Sequence, residues 1–567
     1  MEAFPVSDED VVPTLEEDPA LGLSHREKME VLFAVMLGLF LGALDQTIVG
    51  PALPTIATDL NGNELYVWAI TIYLLTSTIS VPFWGKLSDL YGRKPIFMIG
   101  IVIFLIGSAL SGLSQNMAML IVFRGIQGVG AGSLFPVALA IIGDMFTPQE
   151  RGKYQGLFGA VFGIAFILGP LVGGFLTEQV SWHWIFYVNI PIGIVSLFVI
   201  QRLLPNVKDA GASRNFDILG GAIFTVAITF LLLGLTNKGL TDSVTHQLNE
   251  WTVPSVGGFI LIGLVGIVLF VLAEARAKEP IVPLHLFRIR TYSSSMVSTF
   301  FASFAFFGAI VFLPRWFQVV QGFSPTDSGL AVLPLVVGLI FSSIASGLFV
   351  SRTGRYKWLT VGAIVLMGLA TALMTNLTAD TPLGVVWFWM FIAGLGVGPT
   401  FAVFTIIVQN AVPFHELGVA TSNLTFFRQI GGSVSLAIVG TIFAQSFSEQ
   451  LGPQMAVAGV PPDVVAGFGQ AAASGQVDFN ELTGVGDIGA AIAAAFADLT
   501  PFVAQIVAGI HEAFSLAVAQ TFWIGVAAAI VAALAAATMH EHALRSEHGP
   551  ARAAAGTGDT VATAPTD

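Results

Sequence analysis

Leu44-Asp45-Gln46-Thr47-Ile48-Val49-Gly50-Pro51-Ala52-Leu53-Pro54 lies in the first long apolar run of a 567-residue chain and sets a carboxylate among residues otherwise suited to hydrocarbon. An ionisable side chain at that depth costs at least ~2.5 kcal/mol to insert into a bilayer, so its default reading is functional, most often proton or ion coupling. Asp45 is the only acidic residue that the pattern places deep in any span.

The composition around it agrees. With 55% hydrophobic residues, 10% charged and a mean hydropathy of +0.81, the chain lies far from the roughly 25% charged residues of soluble domains. It reads as an all-α polytopic membrane protein. Cysteine is absent, so neither disulfides nor thiolate metal sites hold it together. Residues 1–28 are polar and acidic and precede any apolar run, unlike a secretory signal, which starts basic. They are expected to form a disordered cytoplasmic tail.

Apolar runs of about 20 residues, the length that crosses ~30 Å of hydrocarbon, occur at 31–57, 66–84, 96–113, 117–143, 154–176, 183–203, 217–236, 253–274, 292–318, 326–350, 358–377, 384–409, 419–445 and 514–537. That pattern predicts fourteen spans with both termini on one side. The bases test the scheme independently: with the N-terminus inside, nineteen of the 23 Lys+Arg fall in inner segments, Lys238 alone falls in an outer loop, and Arg124, Arg315 and Arg428 lie within spans. Such asymmetry is what the positive-inside rule predicts.

The chain also repeats itself. Gly85-Lys-Leu-Ser-Asp89-Leu-Tyr-Gly92-Arg93 returns 262 residues later as Gly347-Leu-Phe-Val-Ser351-Arg-Thr-Gly354-Arg355, and Gly128-Val-Gly130-Ala-Gly132 returns 266 residues later as Gly394-Leu-Gly396-Val-Gly398. This predicts two related six-helix bundles, 29–203 and 292–537, with two extra transmembrane helices in the linker 204–291 and a second cytoplasmic tail at 538–567. Repeated bundles that enclose a midplane site are the usual build of secondary transporters. Between the last two spans, 447–513 carries acids but no Lys or Arg. Apolar positions at helical spacing from Ile488 to Phe514 suit an amphipathic helix on the leaflet or on the bundle; a solvated loop is the competing reading.

Rise per residue places Arg124 of the fourth span at a depth overlapping that of Asp45, so an ion pair is expected if the two spans touch. Arg428 lies near the midplane of the thirteenth span with no obvious acid of its own; compensating Asp45, binding an anionic headgroup and reaching backbone carbonyls all stay open. Gln127, Phe304, Phe307, Phe426, Phe427 and Arg428 are candidates to line a substrate cavity. On the short inner loop after the second span, Gly85 and Gly92 suit tight packing, and Asp89 can face a helix N-terminus or an arginine such as Arg151. The fifth span carries Gly159, Gly163, Gly169, Pro170, Gly173 and Gly174, small residues that let helices approach closely. No Walker loop, H-E-x-x-H or G-x-S-x-G occurs. No catalytic residue, metal site or nucleic-acid surface is therefore expected.

These segments together, "LDQTIVGPALPTI", "GKLSDLYGRKP", "RGIQGVGAG", "GAVFGIAFILGPLVGG", "WHWIFYVNIPIG" and "FFRQIGG", resemble the major facilitator superfamily, specifically its fourteen-span drug:proton antiporters, over about 30 to 445. The resemblance implies two bundles rocking about a central cavity and export of lipophilic compounds driven by proton entry. It suggests Asp45 as the protonatable group with Arg124 as partner, Gly85, Asp89, Gly92, Arg93, Lys94 and Arg151 as the inner gate, and the fifth-span glycines with Pro170 as the antiporter element. His183 stands where the family often has Arg, and the 447–513 insert is not general to the subfamily. Similar inserts in mycobacterial-type members associated with lipid traffic make lipid export the alternative. A sensor or enzyme on a transporter fold is a remote third. The chain is thus expected to act as a monomer in a bacterial inner membrane, without cofactor, on drugs or lipids, powered by the proton gradient and with room for a periplasmic partner at the insert.

Overall fold

The computed structural model describes residues 23–62, 65–205, 216–238, 249–473 and 497–541, with isolated positions 489, 492, 493 and 544. Most of the acidic tail and the middle of the 447–513 insert lie outside these residues, so the expectations for them are not addressed by it. Among the described residues there is no strand. The chain runs through α1 (His25–Asp59), α2 (Tyr66–Tyr91), α3 (Arg93–Ser111), α4 (Met117–Met145), α5 (Pro148–Gln179), α6 (Trp184–Tyr187), α7 (Asn189–Leu203), α8 (Ile218–Lys238) and α9 (Phe259–Glu274). It continues with α10 (Arg290–Val319), α11 (Pro325–Ala331), α12 (Leu333–Thr353), α13 (Lys357–Met374), α14 (Leu383–Ala411), α15 (Leu417–Val457), α16 (Pro462–Ala473) and α17 (Val503–Ala537).

Thirteen helices among the described residues are long and apolar enough to cross a membrane, one fewer than the fourteen spans expected. The helix outside that set is α2, itself predominantly apolar along its length. It nonetheless packs along α4 as a full-length member of the first bundle.

Polar residues at the water-facing ends start these helices. Ser24 and Thr147 form capping boxes with Glu27 and Glu150 at the heads of α1 and α5, and Asn116 accepts from the Met119 amide at the head of α4. Gly92 (φ 96°) breaks α2 from α3, and Gly354 (φ 69°) ends α12. The repeat therefore places glycine twice, 262 residues apart, where the chain needs a positive φ that a Cβ would strain.

The helices form two bundles of the same internal plan. In the first, α4 packs against α2 and α3, and α1 against α5 and α7; in the second, α14 packs against α12 and α13, and α10 against α15 and α17. The glycine triplets explain the match. Residues four apart share a helix face and residues two apart lie nearly opposite. Gly128 and Gly132 accordingly press on α2 while Gly130 presses on α3, and Gly394 and Gly398 press on α12 while Gly396 meets the Met367 amide of α13. Each bundle has its own apolar core.

The linker helices α8 and α9 form a pair lying against α2 and α15, where Phe224 packs on Phe270 and on Phe426. The helix α15 runs unbroken past residue 447 to Val457, and α17 begins at Val503, before the span expected at 514. At 41 residues, α15 is about 60 Å long at 1.5 Å per residue, twice the hydrocarbon thickness. Its end projects beyond the apolar layer and carries α16, whose Phe468 joins the second core with Ile492 and Ile506. The described parts of the insert thus rest on the bundle.

Candidate functional site

Asp45 is fully buried in the first bundle and is held by three side chains from two helices. Arg124 of α4 donates from Nη1 to Asp45 Oδ2 at 2.6 Å; Gln127, one turn on, donates from Nε2 to Oδ1 at 2.7 Å; Asn189 of α7 donates to the same Oδ1 at 3.1 Å. Arg124 and Gln127 reach one carboxylate because residues three apart share a helix face, and a second bond from Arg124 Nη1 to Gln127 Oε1 at 2.9 Å ties them together. The Tyr73 ring of α2 covers the guanidinium at 4.1 Å from its centroid, a cation–π contact that compensates a desolvated cation without neutralising it. Asn189 also donates to Ser108 Oγ, and that hydroxyl donates to the Phe186 carbonyl.

Charged and neutral donors together thus occupy both oxygens of the carboxylate. The pairing of Asp45 with Arg124 follows the depth argument, and Gln127, a candidate for the substrate cavity, donates to the same carboxylate. Asn189 was not anticipated, although an Asn within an apolar run is a visible signal.

Arg428 occupies the second bundle under different terms. Among the described residues no carboxylate lies within ion-pair distance of it; its guanidinium donates once, to the Thr400 carbonyl at 3.1 Å, and lies 4.4 Å from the Phe401 ring centroid. It lines a small cavity of about 10 Å³ together with Thr299, Ser303, Phe306, Thr400 and Phe401. It therefore does not compensate Asp45, which is already held by Arg124. The aromatic candidates divide. Phe307 lies against Gly432, and Phe304 packs with Phe300 and Phe301. Phe426 and Phe427 point instead to Phe224 of α8 and to Phe287, away from the interior, because successive helical positions turn by about 100° and Arg428 takes the inward one. The rings that do line the junction of the bundles are Phe162 and Phe166 of α5 with Phe306 and Phe401, joined in a chain of contacts 5.3 to 6.5 Å apart.

At the end that carries most of the basic residues, the bundles touch. Asp89 accepts from the Gly418 and Val419 amides at 3.1 and 2.8 Å, so its carboxylate caps the N-terminus of α15 across the bundle boundary. The arginine beside it is Arg93, which pairs with Asp89 and donates from Nε to Asp144 of α4 at 2.8 Å. Asp89 thus faces a helix N-terminus, one of the two surroundings open to it, and Arg151 donates to the Phe146 and Gly143 carbonyls. Lys94 donates to the Gln201 carbonyl at 2.7 Å. Gly85 lies against Ser422 and Gly418, and by the internal symmetry Gly347 lies against Gly152 and Gly156. Ser351, the counterpart of Asp89, donates to the Gln149 carbonyl at the head of α5. A further bridge, Gln155 Nε2 to Gln409 Oε1 at 2.7 Å, crosses the boundary unheralded by any motif.

The glycines of α5 serve two neighbours. Gly159 and Gly163 face Ser343 and Ile340 of α12, whereas Gly169 and Gly173 press on Thr47 and the Ile48 carbonyl of α1, two to three residues from Asp45. Thr47 donates to the Ala165 carbonyl at 2.9 Å in the same contact. Pro170 and Gly174 meet Gly329 and Thr326 of α11. One helix thus touches both the partner bundle and the helix that carries the acid.

Two homologous bundles, a buried carboxylate–guanidinium cluster in one and a latch between them define a membrane transporter of the two-bundle type, not an enzyme. The chain belongs to the Major Facilitator Superfamily, whose family description matches residues 35–436. It is 39% identical over 412 residues to the multidrug transporter protein MdtP of Bacillus subtilis (strain 168), covering 73% of this chain and 74% of that one. It is 35% identical over 423 residues to multidrug resistance protein 3 of the same organism, covering 74% and 80%. The proton:xylose symporter XylE shares the fold, with a TM-score of 0.55 at 12% identity over 89% of this chain and 94% of that one.

Proposed function

We propose that this transporter is a proton-coupled antiporter that exports lipophilic or amphiphilic compounds by alternating access, with Asp45 binding and releasing the coupling proton. The observation that carries this reading is the Asp45 cluster: a fully buried carboxylate whose three donors come from α4 and α7. A shift between these helices removes donors and leaves a carboxylate that takes up a proton. The two Bacillus relatives, both named for multidrug transport or resistance, support multidrug substrates. The lopsided basic residues support a bacterial inner membrane location with the latched end facing the cytoplasm. The energy source is the proton gradient, and no cofactor enters.

In everted vesicles, transport of a fluorescent lipophilic probe is expected to follow an imposed pH gradient and to stop in Asp45→Asn, which keeps size but cannot ionise. Gradient-dependent transport that persists in this variant rejects Asp45 as the coupling group.

A further inference from the structure

Arg428 presents an accounting problem that the coupling site does not solve. Arg428 is only partly exposed, and a guanidinium at membrane depth without a counter-charge is expensive, so proteins keep such groups by pairing them. Arg428 has five N–H donors, spends one on the Thr400 carbonyl, and among the described residues has no acid within reach. Arg124 is matched by the Asp45 carboxylate, and Arg428 by none among the described residues.

A second, independent observation lies in the same cavity. The Thr299 hydroxyl is buried, lines the cavity and makes no hydrogen bond among the described residues. A buried polar group left this way costs about 1–3 kcal/mol. The neighbouring hydroxyls of Ser303 and Thr400 already donate, to the Thr299 and Val397 carbonyls. Among the described residues, four donors of the guanidinium and the Thr299 hydroxyl thus have no acceptor, a composition that suits an anionic oxygen. Water satisfies the hydroxyl but leaves the charge uncompensated.

We infer that Arg428 and Thr299 form a subsite for the carboxylate head of a singly charged anionic amphiphile; this rests on the export reading above and specifies one class of substrate for it. The cavity, about 10 Å³, has room for roughly one water-sized atom. The head group enters fully only as the bundles part. Its apolar tail then lies along Phe306 and Phe401, which continue into Phe162 and Phe166 at the junction of the bundles. Head in the second bundle and tail between the two is a placement that bundle motion would disrupt.

The test is calorimetric binding to the full chain in phosphatidylcholine nanodiscs, with dodecanoate, dodecanol and dodecyltrimethylammonium as probes of equal chain length. The wild-type protein is expected to bind dodecanoate at least about tenfold more tightly than dodecanol, the scale of one charge-assisted hydrogen bond. Arg428→Gln is expected to remove that preference, and Thr299→Val to reduce it severalfold. Equal binding of dodecanoate and dodecanol by the wild type, or a preference that survives in Arg428→Gln, overturns the assignment. If Arg428→Gln does not fold, Thr299→Val decides, and an undiminished preference there overturns it too. Chloride binding that depends on Arg428 while dodecanoate binding does not assigns the site to a free inorganic anion and removes the amphiphile. No gradient or transport enters this assay, so its failure stays distinct from failure of the Asp45→Asn vesicle experiment.

Discussion

Arg124 meets Asp45 and Gln127 through a single nitrogen while its plane lies over Tyr73, and only a guanidinium satisfies all three at once. Lysine at 124 keeps the charge but presents a tetrahedral ammonium with no plane to stack. Arg124→Lys is therefore expected to cut gradient-driven transport about tenfold, the weight of one charge-assisted hydrogen bond. Initial rates in everted vesicles at fixed expression check this; an unchanged rate means that charge alone suffices and the planar stack on Tyr73 is irrelevant. The pair itself was legible in the sequence, since Asp45 and Arg124 are rare charges at matching depths. Asn189 and Tyr73 were not, because a neutral polar or aromatic residue in a span has many uses and only the packing of α7 and α2 beside α1 and α4 selects this one.

At the scale of helices, α5 is the element whose sequence is most constrained by its neighbours. A Cβ on Gly173 would run into the Ile48 carbonyl, which belongs to the backbone and has nowhere to retreat, whereas Gly50 on α1 has open space around it. Gly173→Val is expected to destabilise the protein by about 1–3 kcal/mol, as overpacking does, and to abolish transport by prising α1 from α5. Gly50→Ala is expected to change neither. Thermal unfolding in detergent, read beside transport, checks the pair, and a tolerated Gly173→Val would mean that the α1–α5 contact does not matter. The element α15 carries a parallel argument. Its first amides are capped from the other bundle by both oxygens of Asp89, and Asp89→Asn removes one acceptor, at about 1 kcal/mol. With no native cysteine, Ser422→Cys supplies a sole thiol buried behind Gly85. Its labelling by an impermeant maleimide is expected to quicken severalfold when Asp89→Asn is added, and an unchanged rate counts against the cap as a latch. Here the sequence carried half of the answer. The Gly-x-Gly-x-Gly triplets and the recurring loop announced which elements correspond, because close approach and positive φ each demand glycine. Which bundle Asp89 would reach was invisible, since its acceptor role is played on backbone amides 329 and 330 positions away, which have no side-chain signature.

For the whole molecule, the decisive question is whether the contacts at the basic end separate during the cycle. Several of them rest on backbone, as where Gly347 meets Gly152 and Asp89 meets the head of α15, and such surfaces tolerate no gradual loosening; they are engaged or apart. The bridge between Gln155 and Gln409 crosses the same boundary deep within it, with Gln409 also donating to the Leu139 carbonyl of the first bundle. Joining these two positions therefore fixes one bundle to the other without touching Asp45, Arg124 or Arg428. Cysteines at both positions, linked by a short bifunctional maleimide, are expected to stop transport, while each single cysteine treated alike retains it. A reducible linker of the same length is expected to restore transport on reduction, which separates locking from damage. The linked protein should still bind a lipophilic probe from the opposite side, because the restraint closes one end only. Transport that continues in fully linked protein would mean that substrate passes without parting this end, and a rocking cycle of two rigid bundles would no longer describe the molecule.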